Sequence, residues 1–329
     1  MKQVTIYTDF GNMGAAVERC GRDDLSVRVL PRAASWFDAA KLARECSSGD
    51  LFIINGNLAW LYKLCLLKLL LGGGFKAKLI AVDLVLRAPV TPFSKVTGLA
   101  KRFLFGAVDH FIHYFRNLAG YELHFGIPAS KSSYLPFKAN ILDLPKEQWP
   151  ALSAEYVYMA GRSLRDYETF VAAARLTKLP TAVLNPKRVD ELAGLEKLGE
   201  LPSNLSILPD DGSLACWNLG LARARVVVLA IQPSSICASG ISTCLDAMAL
   251  EKPVIITSGP GAEDVFVDEV LFVPSADPTA LAEAIMRFWE NDQEQQDLLN
   301  RASTFVAAVG GERQLLDRIL CKCLEVSLG

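Results

Sequence analysis

The sequence predicts an α/β protein made of two Rossmann-like, doubly wound parallel-sheet domains. Three observations predict it: short β-rich runs alternate with helical ones along the whole chain, the alternation runs its course twice, and the net charge changes sign between the halves. A strand, a helix and a second strand return parallel through a right-handed crossover, so each half should close its own sheet. With 329 residues the chain is long enough for two domains of ~150 residues, each burying a core.

In the first half, strands are expected at Val4 to Thr8, Ser26 to Leu30, Leu51 to Asn55, Leu79 to Val82, Phe111 to Phe115 and Tyr134 to Leu135, with helical patterns between them. The first of these, VTIYT, alternates directly after Lys2, so no cleavable leader is expected at Met1. The most apolar helical stretch, Leu58 to Leu71, is interrupted by Lys63 and Lys68 and falls short of the ~18 uninterrupted apolar residues of a membrane span. The second half repeats the scheme at Tyr156 to Met159, Thr181 to Leu184, Leu205 to Ile207, Val226 to Leu229, Val254 to Ile256 and Leu271 to Val273. A linker is expected at Asn140 to Leu152, where Pro145, Trp149 and Pro150 break any periodic pattern. Helical segments Pro278 to Asn291, Gln293 to Val309 and Arg313 to Val326 close the chain, with Gly310 and Gly311 as a hinge. The domains so drawn are residues 1–145, residues 146–310 and a closing helix at 311–329.

The overall charge of −2 conceals an asymmetry. Residues 1–145 carry 18 Lys and Arg against 11 Asp and Glu, and the remainder carries 16 against 25. The basic excess concentrates at residues 60–116, where Lys63, Lys68, Lys95, Lys101 and Arg102 are interleaved with Trp60, Phe93 and Phe103. A basic, apolar helix pair of this kind suits an anionic membrane surface, while buried helices with solvated lysines are the plainer reading. No nucleic-acid motif accompanies the charge, so nucleic acid is not an expected partner. Cysteines such as Cys65, Cys237 and Cys244 sit singly in apolar segments without zinc spacing, and Cys321 and Cys323 fall on different helix faces. No metal cluster is expected, and the three histidines, His110, His113 and His124, are read as structural. A cytoplasmic location, peripheral on the inner membrane face, fits these features.

Residues 239–285 hold the clearest ligand signal, SGISTCLDAMALEKPVIITSGPGAEDVFVDEVLFVPSADPTALAEAI. A glycine turn opens a helix read from Thr243 to Leu250, and the Lys252 and Pro253 stop leads into an apolar strand and a second glycine turn. Loops at the carboxyl ends of parallel strands form the crevice in which α/β proteins bind nucleotides.

Together with MAGRSLRDYETFVAAARL, the ARARVVVLAI strand and the upstream HFIHYFRNLAGYELHFGIPASKSSYLPF, this unit resembles the large retaining, nucleotide-sugar-dependent family of GT-B glycosyltransferases. The resemblance implies a GT-B fold with two Rossmann-like domains facing a central cleft, the donor held by the second. It implies that Gly161, Arg162 and Arg165 hold the donor diphosphate, for which guanidinium forks are chemically apt. The alternative for Arg165 is an ion pair with Asp166. The turn Ser239, Gly240, Ile241, Ser242 and Thr243 opens a helix whose free N–H groups favour an anion, although an N-cap by Ser242 or Thr243 would read the same. The family places two glutamates eight positions apart here; this chain has Ala238 and Asp246. Asp246 is then the ribose candidate, with a solvated helix aspartate as the alternative, and the carboxylate missing at Ala238 is the chief departure. The base is expected near Asn185 and Pro186 or near Pro209.

On the acceptor side, Gly11, Asn12 and Gly14 follow the first strand, and Asp83 and Arg87 follow the fourth, with Asp83 as the catalytic candidate. A plain Asp83–Arg87 ion pair on one helical turn competes with that role. The implied activity is metal-independent, cofactor-free transfer of a hexosyl unit from a nucleotide-diphosphate sugar to a glycan or lipid-linked acceptor in envelope synthesis. Two rivals stay open: a non-catalytic module that binds a sugar nucleotide or a protein partner, and a nucleotide-sugar epimerase.

Overall fold

The computed structural model describes residues 3–33, 35–161, 163–184, 195 and 198–328. They divide into two compact units, Met1–Pro136 with Arg313–Gly329, and Phe137–Glu312.

The first unit contains strands β1 (Val4–Thr8), β2 (Leu25–Val29), β3 (Leu51–Asn55), β4 (Lys78–Val82), β5 (His110–His113) and β6 (Ser132–Tyr134), paired in parallel in the order β2-β1-β3-β4-β5-β6. Apolar runs make the central strands: β3 and β4 bury Leu51 to Ile54 and Leu79 to Val82 because helices cover both faces of the sheet. The connecting helices are α1 (Met13–Cys20), α2 (Trp36–Glu45), α3 (Leu58–Leu71), α4 (Pro92–Phe105) and α5 (Ala119–Phe125). Neighbours α2 and α3, α3 and α4, and α4 and α5 pack side by side. Caps set their starts. Ser35 accepts from the Asp38 N–H, and Thr91 forms a capping box with Ser94 ahead of Pro92.

The second unit contains β7 (Tyr156–Met159), β8 (Thr181–Leu184), β9 (Leu205–Leu208), β10 (Ala224–Leu229), β11 (Val254–Thr257) and β12 (Leu271–Val273), all parallel in the order β12-β11-β10-β7-β8-β9. Its described helices are α6 (Tyr167–Thr177), α7 (Leu214–Ala222), α8 (Ile241–Ala249), α9 (Pro278–Glu290) and α10 (Asp292–Val309). Met159, Phe170, Val228, Ile255, Ile285 and Phe288 are central to a core between the sheet and the α6–α9 pair. The strand order reverses between β7 and β10, and this switch point opens a crevice at the carboxyl ends of the two strands.

Two segments behave differently from a free linker and a free tail. Residues 140–152 carry the short 3-10 turns Asn140–Asp143 and Lys146–Gln148 and pack inside the second unit, the first of them against α8. The final helix α11 (Glu312–Leu328) runs back into the first unit. Its Asp317 pairs with Arg19, its Val326 carbonyl accepts from Lys78 Nζ at 2.6 Å, and its Arg318 donates to the Pro136 carbonyl at 3.2 Å. Cys323 is buried and Cys321 exposed, as the spacing on a helix dictates.

Candidate functional site

At the switch point of the second unit the chain leaves β7 and turns at Gly161, whose φ is +143°. Arg165 folds back over this turn. Its Nε donates to the Ala160 carbonyl at 2.8 Å, Nη1 to the Ser163 carbonyl at 2.8 Å, and Nη2 lies 3.5 Å from Thr243 Oγ1. A Cβ on Gly161 would overlap this guanidinium, so glycine is required both for the backbone angle and for room. The neighbouring Asp166 carboxylate caps α6, accepting from the Thr169 N–H at 3.1 Å.

The opposite wall comes from the start of α8. Its N-cap is Gly240 at φ +93°, which offers no side-chain acceptor to the first-turn N–H groups. A Cβ on Gly240 would stand 3.5 Å from Ile231 Cδ1 and Leu229 Cδ1 and 3.7 Å from Arg165 Nη1. Arg165, a residue that is 3 % exposed, and a helix N-terminus therefore converge, the arrangement that binds an anion such as phosphate. Between them lies a cavity of about 410 Å³. Its lining includes Gly161, Arg165, Gly240 and Thr243 together with Gly212, Ser213 and Trp217.

Asp246 stands one turn further along α8 and is fully buried, not solvated. Oδ2 accepts from Asn140 Nδ2 at 3.0 Å, and Oδ1 accepts from the Ile141 N–H at 3.1 Å. Burial pushes its carboxyl up to about 6, against the opposing effect of these hydrogen bonds. Asn140 Nδ2 also donates to Ser242 Oγ at 2.7 Å, so Ser242, Asp246 and Asn140 form one polar wall of the cavity. The Ile241 side chain is buried, and only its backbone is available to the turn. Ser239 lies beside a small neighbouring cavity of about 20 Å³ with Ser258 and Gly259, its hydroxyl 3.3 Å from Ser235 Oγ. Pro209 borders another cavity, of about 130 Å³, with Tyr156, Tyr158 and Cys216. Arg162, Asn185 and Pro186 lie outside the described residues.

Sequence reasoning missed Asn140, Ser213 and Trp217. Asn140 falls in the segment expected as a linker, and its partners are more than a hundred positions away. A signal for the other two was present, since the turn Asp210, Asp211 and Gly212 precedes a good N-cap serine. Asp210, Asp211 and Cys216 have ligand atoms within 4.8 Å of one another. The two carboxylates accept from the Gly212 and Ser213 N–H groups and the thiol donates to the Pro209 carbonyl, which shapes the turn.

The acceptor-side candidates belong to the first unit. Asn12 is the N-cap residue of α1 without a side-chain cap bond, and Gly11 and Gly14 have open space where a Cβ would stand. Asp9 Oδ1 accepts from the Asn55 N–H at 2.7 Å, tying β1 to β3 at this unit's own switch point. Asp83 follows β4 at φ +51°, its N–H bonded to the Ile112 carbonyl at 3.0 Å. Burial alone lifts its carboxyl to about 6. Residues 83–90 form no helix, so Asp83 and Arg87 do not share a helical turn, and the Arg87 side chain is exposed. His113 is buried against Phe111, Phe115 and Tyr121, and burial lowers it to about 4. His110 bonds Ser133 Oγ at 2.8 Å from the opposite side of β5.

Two six-stranded, parallel Rossmann-like units in one chain are the architecture of the GT-B glycosyltransferases. The glycosyltransferase from Rickettsia africae superimposes with a TM-score of 0.65 at 13 % identity, covering 99 % of this chain and 98 % of that one. Anabaena HepE in complex with UDP and glucose gives a TM-score of 0.68 at 13 % identity, covering 99 % and 100 %. The UDP-forming α,α-trehalose-phosphate synthase of Burkholderia vietnamiensis gives 0.64 at 11 %, covering 98 % and 100 %. Within the sequence, residues 222–305, from the end of α7 into α10, match the family model for Glycosyl transferases group 1. No curated protein matches the chain in sequence.

Proposed function

We propose that the protein is a glycosyltransferase that takes a hexosyl unit from a nucleotide-diphosphate sugar. The observation that carries this is the convergence of Arg165 and the uncapped α8 N-terminus on one cavity at the switch point. The diphosphate would lie between them, and the nucleoside would extend toward Ser213 and Trp217. As the bond to the sugar breaks, negative charge grows on the leaving diphosphate, and a fixed cation with oriented N–H groups stabilises it without reorganising. On this reading no divalent metal is required, and the anomeric configuration is retained as in the family the chain resembles. Asp83, lifted toward neutrality at the end of β4, is the candidate for contact with the acceptor hydroxyl. The acceptor would be a glycan or lipid-linked sugar of the cell envelope, met by the basic first unit. UDP, the nucleotide bound by HepE, is the first ligand to try.

Thermal melting with UDP, GDP, ADP and their sugar conjugates, with and without EDTA, tests the donor site. A nucleotide at a hundredfold excess over its Kd should stabilise by about 2.7 kcal/mol, a rise of several degrees in Tm. Survival of the shift in EDTA, and its loss in Thr243→Val with Arg165→Lys, supports the reading; no shift with any nucleotide overturns it. Where turnover is found, Asp83→Asn should abolish it without moving the nucleotide shift, and NMR of the product anomer reads retention.

A second reading has its own observation. Both Asp246 oxygens are engaged by Asn140 and Ile141, and Ala238 supplies no carboxylate, which favours a module that binds the nucleotide without transfer. Nucleotide binding without hydrolysis or transfer across an acceptor panel would select it.

A further inference from the structure

Helix α4 carries an unpartnered apolar stripe. Phe93, Val96, Leu99 and Phe103 are 79 %, 66 %, 68 % and 67 % exposed, and their spacing places them on one face, while Gly98 and Phe105 face the core. Val90, just before the helix, is also 72 % exposed. Four large apolar side chains in one stripe are far more than the scattered single residues of an ordinary soluble surface. The neighbouring α3 differs: it buries Trp60, Leu61, Leu64 and Cys65, and its Lys68 is paired with Asp109. The basic, apolar character of residues 60–116 is therefore concentrated on one helix face.

Charge identifies the occupant. Between Asp83 and Asp109 there is no acidic residue, whereas Arg87, Lys95, Lys101 and Arg102 all occur there. Lys95 and Arg102 are exposed beside the stripe. A protein partner's apolar face would not call for this uniformly basic border, but an anionic bilayer does, because acyl chains take the aromatic and leucine side chains while headgroup phosphates meet the cations. We propose that the α4 face, through Phe93, Val96, Leu99 and Phe103 bordered by Lys95 and Arg102, inserts into the interface of an anionic membrane. This deepens the lipid-linked acceptor reading given above, but lipid binding itself requires neither nucleotide nor turnover.

Cosedimentation of the full chain with vesicles tests it, with nucleotide absent. Binding is expected to vesicles of phosphatidylglycerol mixed with phosphatidylcholine, weakly to phosphatidylcholine alone, and to decline with added salt. Phe93→Ser combined with Phe103→Ser should lower partitioning by at least about tenfold, as loss of the inserted apolar area requires. Lys95→Glu with Arg102→Glu should remove the preference for anionic lipid. Phe93, Phe103 and Lys95 are exposed, and Arg102 gives up one bond to the Leu123 carbonyl at 3.2 Å. The serine pair should therefore keep the wild-type melting temperature, the glutamate pair should lower it by no more than a few degrees, and any nucleotide shift should stay at its wild-type value in both. A protein that binds nucleotide but ignores anionic vesicles, or whose binding survives both pairs, overturns the membrane assignment and leaves the donor site standing. Concentration-dependent dimerisation abolished by Phe93→Ser, without vesicle binding, would assign the face to a second copy and overturn it equally.

Discussion

Asp246 shows how a residue can be legible in type and illegible in role. The sequence marks an acidic side chain on a helix beside a glycine turn, but its partners lie 105 and 106 positions away, so its burial comes only from the tertiary fold. Asp246→Ala would leave the Ile141 N–H unpaired in the interior, at about 1–3 kcal/mol. Melting should fall by several degrees. Asp246→Asn keeps an acceptor of the same shape and removes the charge. The native-state pKa, about 6, lies above the unfolded value, so the folded state holds the extra proton between about 4 and 6. Wild-type stability should therefore decline relative to Asp246→Asn as the pH rises through that window, and level off above it. Denaturant titrations at pH 4, 5, 6 and 7 check this; a difference that is constant with pH refutes the raised pKa. Gly161 and Arg165 were legible as a pair of types, but that the glycine exists to admit the guanidinium is visible only in three dimensions.

At the scale of elements, boundaries followed local chemistry where that chemistry was unambiguous. Helix α9 begins at Pro278 behind Asp277, whose Oδ1 accepts from the Thr279 and Ala280 N–H groups at 3.0 and 2.9 Å. Asp277→Ala should cost about 1 kcal/mol, read as a Tm lower by about 2–4 °C with the fold retained. Helix α8 starts at Ile241, two residues before the expected Thr243, although Ser242 and Thr243 resemble caps in sequence. Gly240 takes that place, and the Ser242 hydroxyl instead accepts from Asn140. Strand β5 stops at His113, not Phe115, because its neighbours set its length: Val82 of β4 pairs with Ile112 and Tyr134 of β6 with His113. A periodic apolar run gives the existence of a strand, whereas its ends depend on where partners stop.

At the scale of the whole molecule, the repeated alternation of strand and helix announced two parallel sheets, and both have six strands. The closing helix was legible as a helix but not as part of the first unit. Leu316, Ile319, Leu320 and Cys323 are buried there, so a chain ending at Glu312 should expose the apolar first-unit surface that they cover and aggregate. All of the residues that wall the 410 Å³ cavity lie within Phe137–Glu312. The fragment 137–312 should accordingly fold and bind nucleotide with an affinity within about tenfold of the full chain, while losing vesicle binding, which belongs to α4. Isothermal titration of the fragment checks this, and an unfolded or non-binding fragment refutes the assignment of the cavity to this unit alone.

By itself the sequence determined the fold class, nearly every strand, the two glycine turns of the second unit and the basic character of the first half, because periodicity, breakers and charge are local properties of a chain. Only the tertiary structure decided the strand orders, the approach of Arg165 to Thr243, the partners of Asp246, the return of α11 and the exposure of the α4 stripe. Each of these depends on contacts between residues far apart in sequence, which compaction selects and no local pattern encodes.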